Sequence, residues 1–319
     1  MFVFCQMWNT IFYIKIMKIL YCDNVISQKT IDESYQNEQI AARQAGFETY
    51  LLSYEKLVEE NIHSALRFVS VQSKTESALY RGWMLKPKLY ELLYEALLEK
   101  NIKLINSPKE YRHCHYFPNS YSKIRENTPF SNWVKLDKSI DFEEIYELTQ
   151  QFGKHPIILK DYVKSEKYYW NEACFIPNAT NKENVKSVVK KFVELRGKEL
   201  NEGLVFRKFE KLEFLKQHSK SDLPITKELR IFFFNKKIVD VLNYWEEGNY
   251  GEVDVELEKF TKIAQNIESN FFTMDIAQKT TGEWIIIELG DGQVSGLPDN
   301  TNHYKFYNNL KNMISLHKL

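Results

Sequence analysis

The chain has 319 residues, 44% of them hydrophobic and 27% charged, and its 43 basic residues balance 43 acidic ones. This length allows two or three lobes with cores of their own. The neutral charge argues against a dedicated nucleic-acid binder, whose domain is normally basic, although a local basic groove stays open. Four cysteines without paired spacing argue against a disulfide framework or a zinc knuckle and favour reduced thiols in a cytosol.

Residues 1–16 are apolar but interrupted by polar side chains, and they lack a basic leader and a clear cleavage site. The stretch is also too short to span a bilayer. Directly after it, residues 17–21 (MKILY) read like the opening strand of a cytosolic α/β domain. We therefore predict that Met17 is the biological start and that residues 1–16 are an upstream extension. A membrane anchor is the alternative.

Residues 17–106 alternate between short apolar runs and amphipathic stretches. Gly46 suits the C′ position of a first helix, and Pro87 suits the first turn of another. The alternation predicts a small Rossmann-like α/β domain with a parallel sheet. The predicted elements are strand Lys18–Tyr21, helix Glu33–Ala45, strands Phe47–Leu52, Leu66–Val71 and Leu79–Leu85, a helix from Pro87, and strand Lys103–Ile105.

Two further units, residues 107–209 and 210–319, mix helices and strands. Asp141 and Glu144 have the spacing of a capping box. The predicted elements of the first unit are a helix from Asp141 to Phe152, strand Ile157–Lys160, helix Lys182–Leu200 and strand Gly203–Phe209. Those of the second are an exposed linker from Lys211 to Thr226, strands Lys227–Phe234 and Ile238–Trp245, helix Val253–Glu268, a hairpin within residues 271–298, and a helix to about His317.

The hairpin sequence FFTMDIAQKTTGEWIIIELGDGQVSGLP, residues 271–298, is the most informative stretch. If Thr281 and Gly282 form a two-residue turn, Asp275 lies directly opposite Glu288. A register shift of two leaves both carboxylates on one face, since side chains alternate along a strand. Opposed carboxylates repel, so we expect a positive group between them, and a divalent metal holding a nucleotide phosphate is the natural candidate. Asp291 is a candidate third ligand, and a solvated acidic face is the alternative.

Cations stand on two other predicted strands. Lys160 ends an apolar strand and opens the lysine-dense segment KDYVKSEK, whose ammonium groups suit phosphate oxygens; a solvated loop is the alternative. Glu228 and Arg230 share one facing on the otherwise apolar strand ELRIFFF, where unpaired charge is costly. They predict either a structural ion pair or a role for Arg230 on a transferred phosphate or an acyl intermediate.

Together these groups match the needs of phosphoryl transfer, which are cations for phosphates, an arginine, and oxygen ligands for Mg²⁺. The sequence has no Walker-type glycine loop and no kinase-type GxGxxG or HRD segment. It also has no obvious Ser-His-Asp or Cys-His set, and none is needed where ATP supplies the leaving group.

The order of these residues resembles the ATP-grasp superfamily. Lys160 is followed by a hinge strand at residues 204–209, then by Glu228-x-Arg230, and then by Asp275 and Glu288. The segments KDYVKSEKYYWNEACFIP, ELRIFF and IIELGDGQVSGLP are similar to a bacterial and phage branch of the superfamily that is marked by an arginine and two lysines. The resemblance covers about residues 110–310.

The resemblance implies an α+β fold in which ATP lies between a small lobe, residues 107–209, and a large lobe with the metal site, residues 210–319. The small α/β domain precedes both. Arg230 would face the γ-phosphate or an acyl phosphate. The Mg²⁺ ligands would be Asp275 and Glu288 with Asp291. The residues implied for the nucleotide are Lys160 and Lys164 at the phosphates, the hinge residues Arg207, Lys208 and Phe209 at adenine, and Glu228.

Two positions depart from the family pattern. Many members carry asparagine two residues after the second metal carboxylate, where this chain has Gly290. Asp291 would take its place, which leaves the number of metal ions open. Lys208 stands where an acidic hinge residue is common, so adenine or ribose contacts would differ, and either Glu210 or Glu213 would reach the ribose.

The resemblance implies an ATP- and Mg²⁺-dependent ligase that joins a small-molecule or peptide carboxylate to an amine through an acyl phosphate. Two alternatives stay open, a nucleotide-binding interaction module without turnover and a kinase-like phosphotransferase. In the first domain Arg81, Trp83 and Asp23 are substrate-side candidates, Asp23 because ligands bind beyond the strand ends of open α/β sheets. We expect a cytoplasmic protein without a membrane or stable nucleic-acid partner, and a homodimer is one assembly to test.

Overall fold

The computed structural model describes residues 17–136, 140–219 and 224–316. The predicted extension at residues 1–16, a part of the predicted linker and His317 lie outside these ranges. The predicted α+β class with a parallel N-terminal sheet is confirmed. In the described ranges no helix is long and apolar enough to cross a bilayer. Three buried cysteines, Cys22, Cys114 and Cys174, are free thiols.

The first domain carries a parallel sheet. Its strands are β1 (Lys18–Cys22), β2 (Glu48–Leu52), β3 (Glu76–Arg81) and β4 (Ile102–Leu104), and its helices are α1 (Gln36–Gln44), α2 (Tyr54–Val58), α3 (Ile62–Ala65) and α4 (Pro87–Glu99). The strand order is β2-β1-β3-β4. The predicted strand at residues 66–71 is wrong, because Leu66 and Val69 are both buried, and a spacing of three fits a turn rather than an alternating strand.

Two helices that the sequence did not predict, α5 (Pro108–His115) and α6 (Phe117–Ile124), follow the first domain. Ser107 and Glu110 form a capping box at the start of α5. The residues of the segment Arg112 to His115 point in different directions, with Arg112 paired to Glu202 and His115 facing the cleft described below.

The central sheet is antiparallel, with the order β5-β8-β6-β7. It comprises β5 (Ser131–Lys135), β6 (Ile157–Asp161), β7 (Phe175–Ile176) and β8 (Gly203–Lys208), with helices α7 (Phe142–Gln150) and α8 (Lys182–Arg196) packed against it. Asp141 caps α7 by accepting hydrogen bonds from the backbone N–H groups of Glu143 and Glu144, close to the predicted start.

The C-terminal sheet is antiparallel, with the order β12-β11-β13-β14. The predicted linker contains strands β9 (Phe214–Gln217) and β10 (Pro224–Thr226). Helix α9 is shorter than predicted, because Val253 and Val255 pack inward with the alternating spacing of extended chain. The C-terminal elements are β11 (Glu228–Phe234), β12 (Lys237–Asn243), α9 (Leu257–Ala264), β13 (Phe271–Gln278), β14 (Trp284–Asp291) and α10 (His303–Leu316).

The first domain and the C-terminal sheet share one hydrophobic core. The first domain contributes residues from β1 and β3, and the C-terminal part contributes phenylalanines of β11 and β13 together with α10. The main members are Ile19, Tyr21, Leu79, Phe232, Phe271, Phe306 and Tyr307. A shared core fixes the orientation of the two parts, so the first domain holds a set position beside the cleft.

Candidate active site

A cleft of about 100 Å³ lies between the end of β6 and one face of the C-terminal sheet. Charged side chains reach it from both sides, and α5, α6 and the first domain close its edges. The residues used below are Lys160 and Lys164 on one side, Arg230, Asp275 and Glu288 on the other, and Met84, His115, Phe117, Thr273, Ser295 and Gly296 around them.

The register of the C-terminal sheet brings three charged residues side by side. Arg230 on β11 pairs with Asp275 on β13, which pairs with Glu288 on β14. Nearer the turn Gln278 faces Trp284, so the loop spans residues 279–283, and a bulge beside Asp275 shifts the register back. The predicted opposition of Asp275 and Glu288 is confirmed, while the predicted two-residue turn is wrong.

Each carboxylate has a cation beside it. Arg230 donates to both oxygens of Asp275, from Nε at 2.8 Å and from Nη2 at 2.7 Å. Lys160 donates from Nζ to Oε2 of Glu288 at 2.9 Å, across the cleft. These cations offset the repulsion between directly opposed carboxylates. The partner of Arg230 is therefore Asp275, and the structural pair with Glu228 considered from the sequence is not the one formed.

The pKa shifts follow from these contacts. Burial raises the pKa of Glu288, but the charge of Lys160 and then that of Lys167 outweigh burial and hold this pKa at about 2. Burial raises the pKa of Asp275, and Arg230 opposes the rise. Glu288 is therefore ionised at neutral pH and faces the cleft with its side chain 38% exposed.

Two carboxylates facing one cleft are a suitable donor set for Mg²⁺. This ion takes one or two protein carboxylates and completes its shell with phosphate oxygens and water. Asp275 and Glu288 both line the cleft. Within the described ranges no group of three or more His, Cys, Asp or Glu side chains is placed to hold a metal by itself. The donor set fits a Mg²⁺ that arrives with a nucleotide.

The structure does not bring Asp291 to the cleft. Its Oδ2 accepts from Nδ2 of Asn106 at 2.6 Å, and its Oδ1 accepts from the backbone N–H of Gln293 at 2.9 Å. Burial raises its pKa to about 7. The prediction assumed that the strand ends before Asp291, whereas β14 includes it and turns its side chain away from Glu288, three positions earlier.

Lys160 and Lys164 lie at the cleft because the chain turns sharply after β6. Asp161 ends β6, and its Oδ1 accepts from the backbone N–H groups of Val163 at 2.7 Å and Lys164 at 2.5 Å. Desolvation, helped by the charge of Lys160 and opposed by Glu288, lowers the pKa of Lys164. The turn thus sets two ammonium groups opposite the two carboxylates.

Arg207, predicted at the adenine, occupies a different environment. It is 3% exposed, and its guanidinium lies 4.8 Å from the ring centre of Phe117. It donates from Nη1 to the carbonyl oxygen of Ile287 at 2.6 Å and from Nη2 to Oγ1 of Thr128 at 2.9 Å. Arg207 therefore ties β8 to β14, one residue before Glu288, and is absent from the cleft lining.

Lys208 and Phe209 follow Arg207 at the end of β8. Nζ of Lys208 lies 3.4 Å from Oε1 of Glu210. The ring of Phe209 packs edge-on against Phe175 at 5.2 Å and against Trp170 at 6.1 Å between ring centres. This aromatic group is a flat apolar surface of the kind that a purine ring requires.

Glu228 lies beneath the cleft. It is 7% exposed, and its Oε1 accepts from Nε1 of Trp245 at 3.2 Å and from the hydroxyl of Thr226. Burial raises its pKa. The pKa of Lys167 is lowered by desolvation but raised overall by Glu228 and also by Glu288. Sequence reasoning missed Lys167, since nothing in the segment KDYVKSEK separates its lysines.

Sequence reasoning also missed cleft residues that come from unpredicted elements. His115 and Phe117 stand on α5 and α6, and burial lowers the pKa of His115 to about 3, so its imidazole is neutral. The hydroxyls of Thr273 and Ser295 lie 2.9 Å apart beside Gly290. A Cβ at Gly290 would come within 2.6 Å of both hydroxyl oxygens, which explains why glycine replaces the asparagine common at this position.

The first-domain candidates mostly lie away from the cleft. Trp83 donates from Nε1 to Oδ2 of Asp32 at 3.0 Å. Oδ1 of Asp23 accepts from the backbone N–H of Tyr54 at 3.3 Å. Neither Trp83 nor Asp23 lines the cleft, whereas Met84 does.

A second cavity, of about 320 Å³, adjoins the cleft on the far side of Arg230. Arg230 and Gly296 line both spaces. The guanidinium of Arg230 lies over the ring of Tyr244, 4.8 Å from its centre. The other residues at this cavity are His218, Ile225, Trp245, Glu246, Glu247, Leu297, Pro298 and Asp299.

A family model described as an ATP-grasp domain, family 3 of the clade named for one arginine and two lysines, matches residues 150–310. The matched segment contains Lys160, Arg230, Asp275 and Glu288, which the structure gathers at the cleft. No protein with a curated description matches the sequence.

Solved structures extend the likeness to almost the whole chain. A RimK-domain ATP-grasp protein from Sphaerobacter thermophilus DSM 20745 has a TM-score of 0.57 at 10% identity, covering 93% of this chain and 98% of that one. The ATP-grasp ligase PsnB, complexed with minimal precursor, Mg and ADP, has a TM-score of 0.53 at 12% identity, covering 94% and 98%. D-alanine–D-alanine ligase from Bacillus anthracis, complexed with ATP, has a TM-score of 0.53 at 13% identity, covering 94% and 96%. At these identities the comparisons show a shared fold.

Proposed function

The chain belongs to family 3 of the arginine-and-two-lysines clade of ATP-grasp domains, and on this premise we propose that it is an ATP- and Mg²⁺-dependent carboxylate–amine ligase acting through an acyl phosphate. Family membership and the shared fold support ATP-dependent ligation in general. The observation that carries the proposal is the cleft itself. Two lysines on one side face an arginine and two carboxylates on the other, with Lys160 and Glu288 only 2.9 Å apart.

The residues divide into groups by the charge they meet. Lys160 and Lys164 would hold phosphate oxygens, since ammonium groups act as point charges for phosphate. The aromatic surface around Phe209 would carry the adenine. Asp275 and Glu288 would hold Mg²⁺, which neutralises charge on the triphosphate when it is bound.

The proposed reaction has two steps. A carboxylate oxygen of the acid attacks the γ-phosphorus, the bond from that phosphorus to the β-phosphate bridging oxygen breaks, and ADP leaves. The amine nitrogen then attacks the acyl carbon, the C–N bond forms, phosphate leaves with the C–O bond electrons, and the ammonium proton passes to solvent. Each terminal nitrogen of Arg230 makes one hydrogen bond to protein and keeps a second N–H for the transferred phosphoryl group.

The cavity on the far side of Arg230 supports an approach route for the amine. It meets the cleft at Arg230 and Gly296, so an amine held there reaches the phosphoryl-transfer centre without crossing the lysine side. The rings of Tyr244 and Trp245 offer apolar contact to the body of such a substrate. Closure of the cleft would keep water from the acyl phosphate.

The test uses hydroxylamine as the amine, because it converts acyl phosphates to hydroxamates that can be detected directly. A panel of carboxylic acids, including amino acids and short peptides, is incubated with the protein, ATP and Mg²⁺, and hydroxamate and ADP are measured together. The proposal predicts equal amounts of both for at least one acid. A stable phosphorylated product without hydroxamate would favour the phosphotransferase, and ATP binding without ADP release would favour the non-catalytic module.

A further inference from the structure

Arg81, the last residue of β3, reaches from the first domain to the loop that follows β14. Its Nη1 donates to the carbonyl oxygens of Gly292 at 2.6 Å and Ser295 at 2.8 Å. Its Nε and Nη2 donate to the carboxylate of Glu38 at 3.0 Å and 2.8 Å. Arg81 is 1% exposed. A buried guanidinium requires a counter-charge and full hydrogen bonding, and here Glu38 supplies the charge while the loop carbonyls take the remaining donors.

The loop held by Arg81, residues 292–298, forms a wall of both cavities. Val294, Ser295 and Gly296 line the cleft, and Gly296, Leu297 and Pro298 line the second cavity. The carbonyl oxygen of Gly296 accepts from Nη1 of Arg230 at 2.8 Å. Arg81 and Arg230 therefore bind neighbouring carbonyls of one loop, Arg81 from the first domain and Arg230 from the reaction centre.

The loop depends on such contacts because regular secondary structure ends at Asp291. Gly292 and Ser295 are buried, so their carbonyl groups lose their partner if Arg81 is removed. An unsatisfied buried carbonyl is costly, and the loop would move to expose it to water. That movement would displace Gly296 and, with it, one of the contacts that orient Arg230.

We propose that Arg81 is a positioning residue for the reaction, by which the first domain fixes the loop at residues 292–298 and so the guanidinium of Arg230. The turnover part of this inference rests on the proposed ligase function, whereas the loop part does not. Arg81 lies outside the segment that the family model matches, so this role belongs to the chain as a whole. It predicts that loss of Arg81 impairs phosphoryl transfer more than nucleotide binding.

The matched control is Tyr307→Phe. The Tyr307 hydroxyl donates to Oε2 of Glu38 at 2.6 Å, so the variant damages the same buried network while leaving every bond from Arg81 to the loop. The test variant is Arg81→Gln. Arg81→Lys is the second variant, since it keeps the charge opposite Glu38 but cannot reach the carboxylate and both carbonyls together.

Three measurements are compared among these proteins: amide hydrogen exchange of residues 292–298, the Kd for MgATP by calorimetry, and kcat for ADP release corrected for the folded fraction. For Arg81→Gln we expect at least about tenfold faster exchange in the loop, kcat lower by about 10- to 100-fold, and a Kd within about threefold of the wild type. Arg81→Lys should change in the same direction by less. Tyr307→Phe should lose global stability without a selective effect on the loop or on kcat.

The inference is overturned if both Arg81 variants match Tyr307→Phe in loop exchange and in corrected kcat, because Arg81 would then serve only the stability of the fold. Wild-type protein that binds MgATP but never releases ADP would instead reject the proposed ligase function. In that case the exchange measurement still decides whether Arg81 holds the loop.

Discussion

Replacing Glu288 by glutamine tests the cleft with little damage to the fold. The substitution keeps the shape of the side chain and removes the negative charge that faces Lys160 at 2.9 Å. Removing one member of a fully buried ion pair costs about 3–5 kcal/mol of stability, whereas an exposed pair contributes about 0–1 kcal/mol. The Glu288 side chain is 38% exposed and that of Lys160 is 7% exposed, so we expect a loss between these limits, about 1–2 kcal/mol.

The expected loss of activity is larger. Glu288 is one of the two carboxylates that would hold Mg²⁺ on the triphosphate, and removal of one preorganised electrostatic group from a reaction centre costs about 100- to 1,000-fold in kcat, or ~2.7–4 kcal/mol. The assay is ADP release at saturating ATP and Mg²⁺, with the free energy of unfolding measured on the same sample. The variant should remain folded and lose turnover.

The control for this variant is Glu283→Gln in the same hairpin. Glu283 also accepts from a lysine at 2.9 Å, Lys279, but its side chain is 53% exposed and lies outside the cleft. It should keep stability and turnover within about twofold of the wild type. Glu288→Gln with turnover equal to that of Glu283→Gln would refute the assignment of the carboxylate pair to the reaction centre.

Three further predictions follow from the same geometry. Lys160→Met should weaken MgATP binding by about 10- to 100-fold, since a charge-assisted hydrogen bond contributes ~1.5–3 kcal/mol; an unchanged Kd by calorimetry would contradict a phosphate role. Trp245→Ala should raise KM for the amine by about tenfold and leave KM for ATP unchanged; equal effects on both would reject the second cavity as the amine route. The free energy of unfolding should fall as pH rises from near 3.8 to about 7, because folded Asp291 keeps its proton where the unfolded chain loses it; Asp291→Asn should flatten this slope in pH-dependent denaturation, and an unaltered slope would contradict it.

The charged core of the site followed from the sequence because strand alternation is a local property. The facing of Asp275, Glu288 and Arg230 depends only on period two and on an approximate register, and the structure places all three at one cleft. The turn prediction failed without harming this result, since the bulge beside Asp275 compensated for the longer loop.

The remaining residues depended on long-range packing that no local pattern encodes. Arg207 and Lys208 are adjacent on one strand, yet Arg207 is buried against β14 and Lys208 pairs with Glu210. The separation of Asp291 from Glu288 turned on whether β14 continued by a few residues, and strand ends are weakly marked in sequence. Arg81 acts across more than two hundred positions, so only the folded chain shows its contact with Ser295.

The most direct test of the account is a crystal structure of the chain with Mg²⁺ and a non-hydrolysable ATP analogue. The account predicts a metal ion within about 2.0–2.1 Å of oxygens from both Asp275 and Glu288, with phosphate oxygens contacting Lys160. A nucleotide bound elsewhere, or a metal ion held without these two carboxylates, would contradict it.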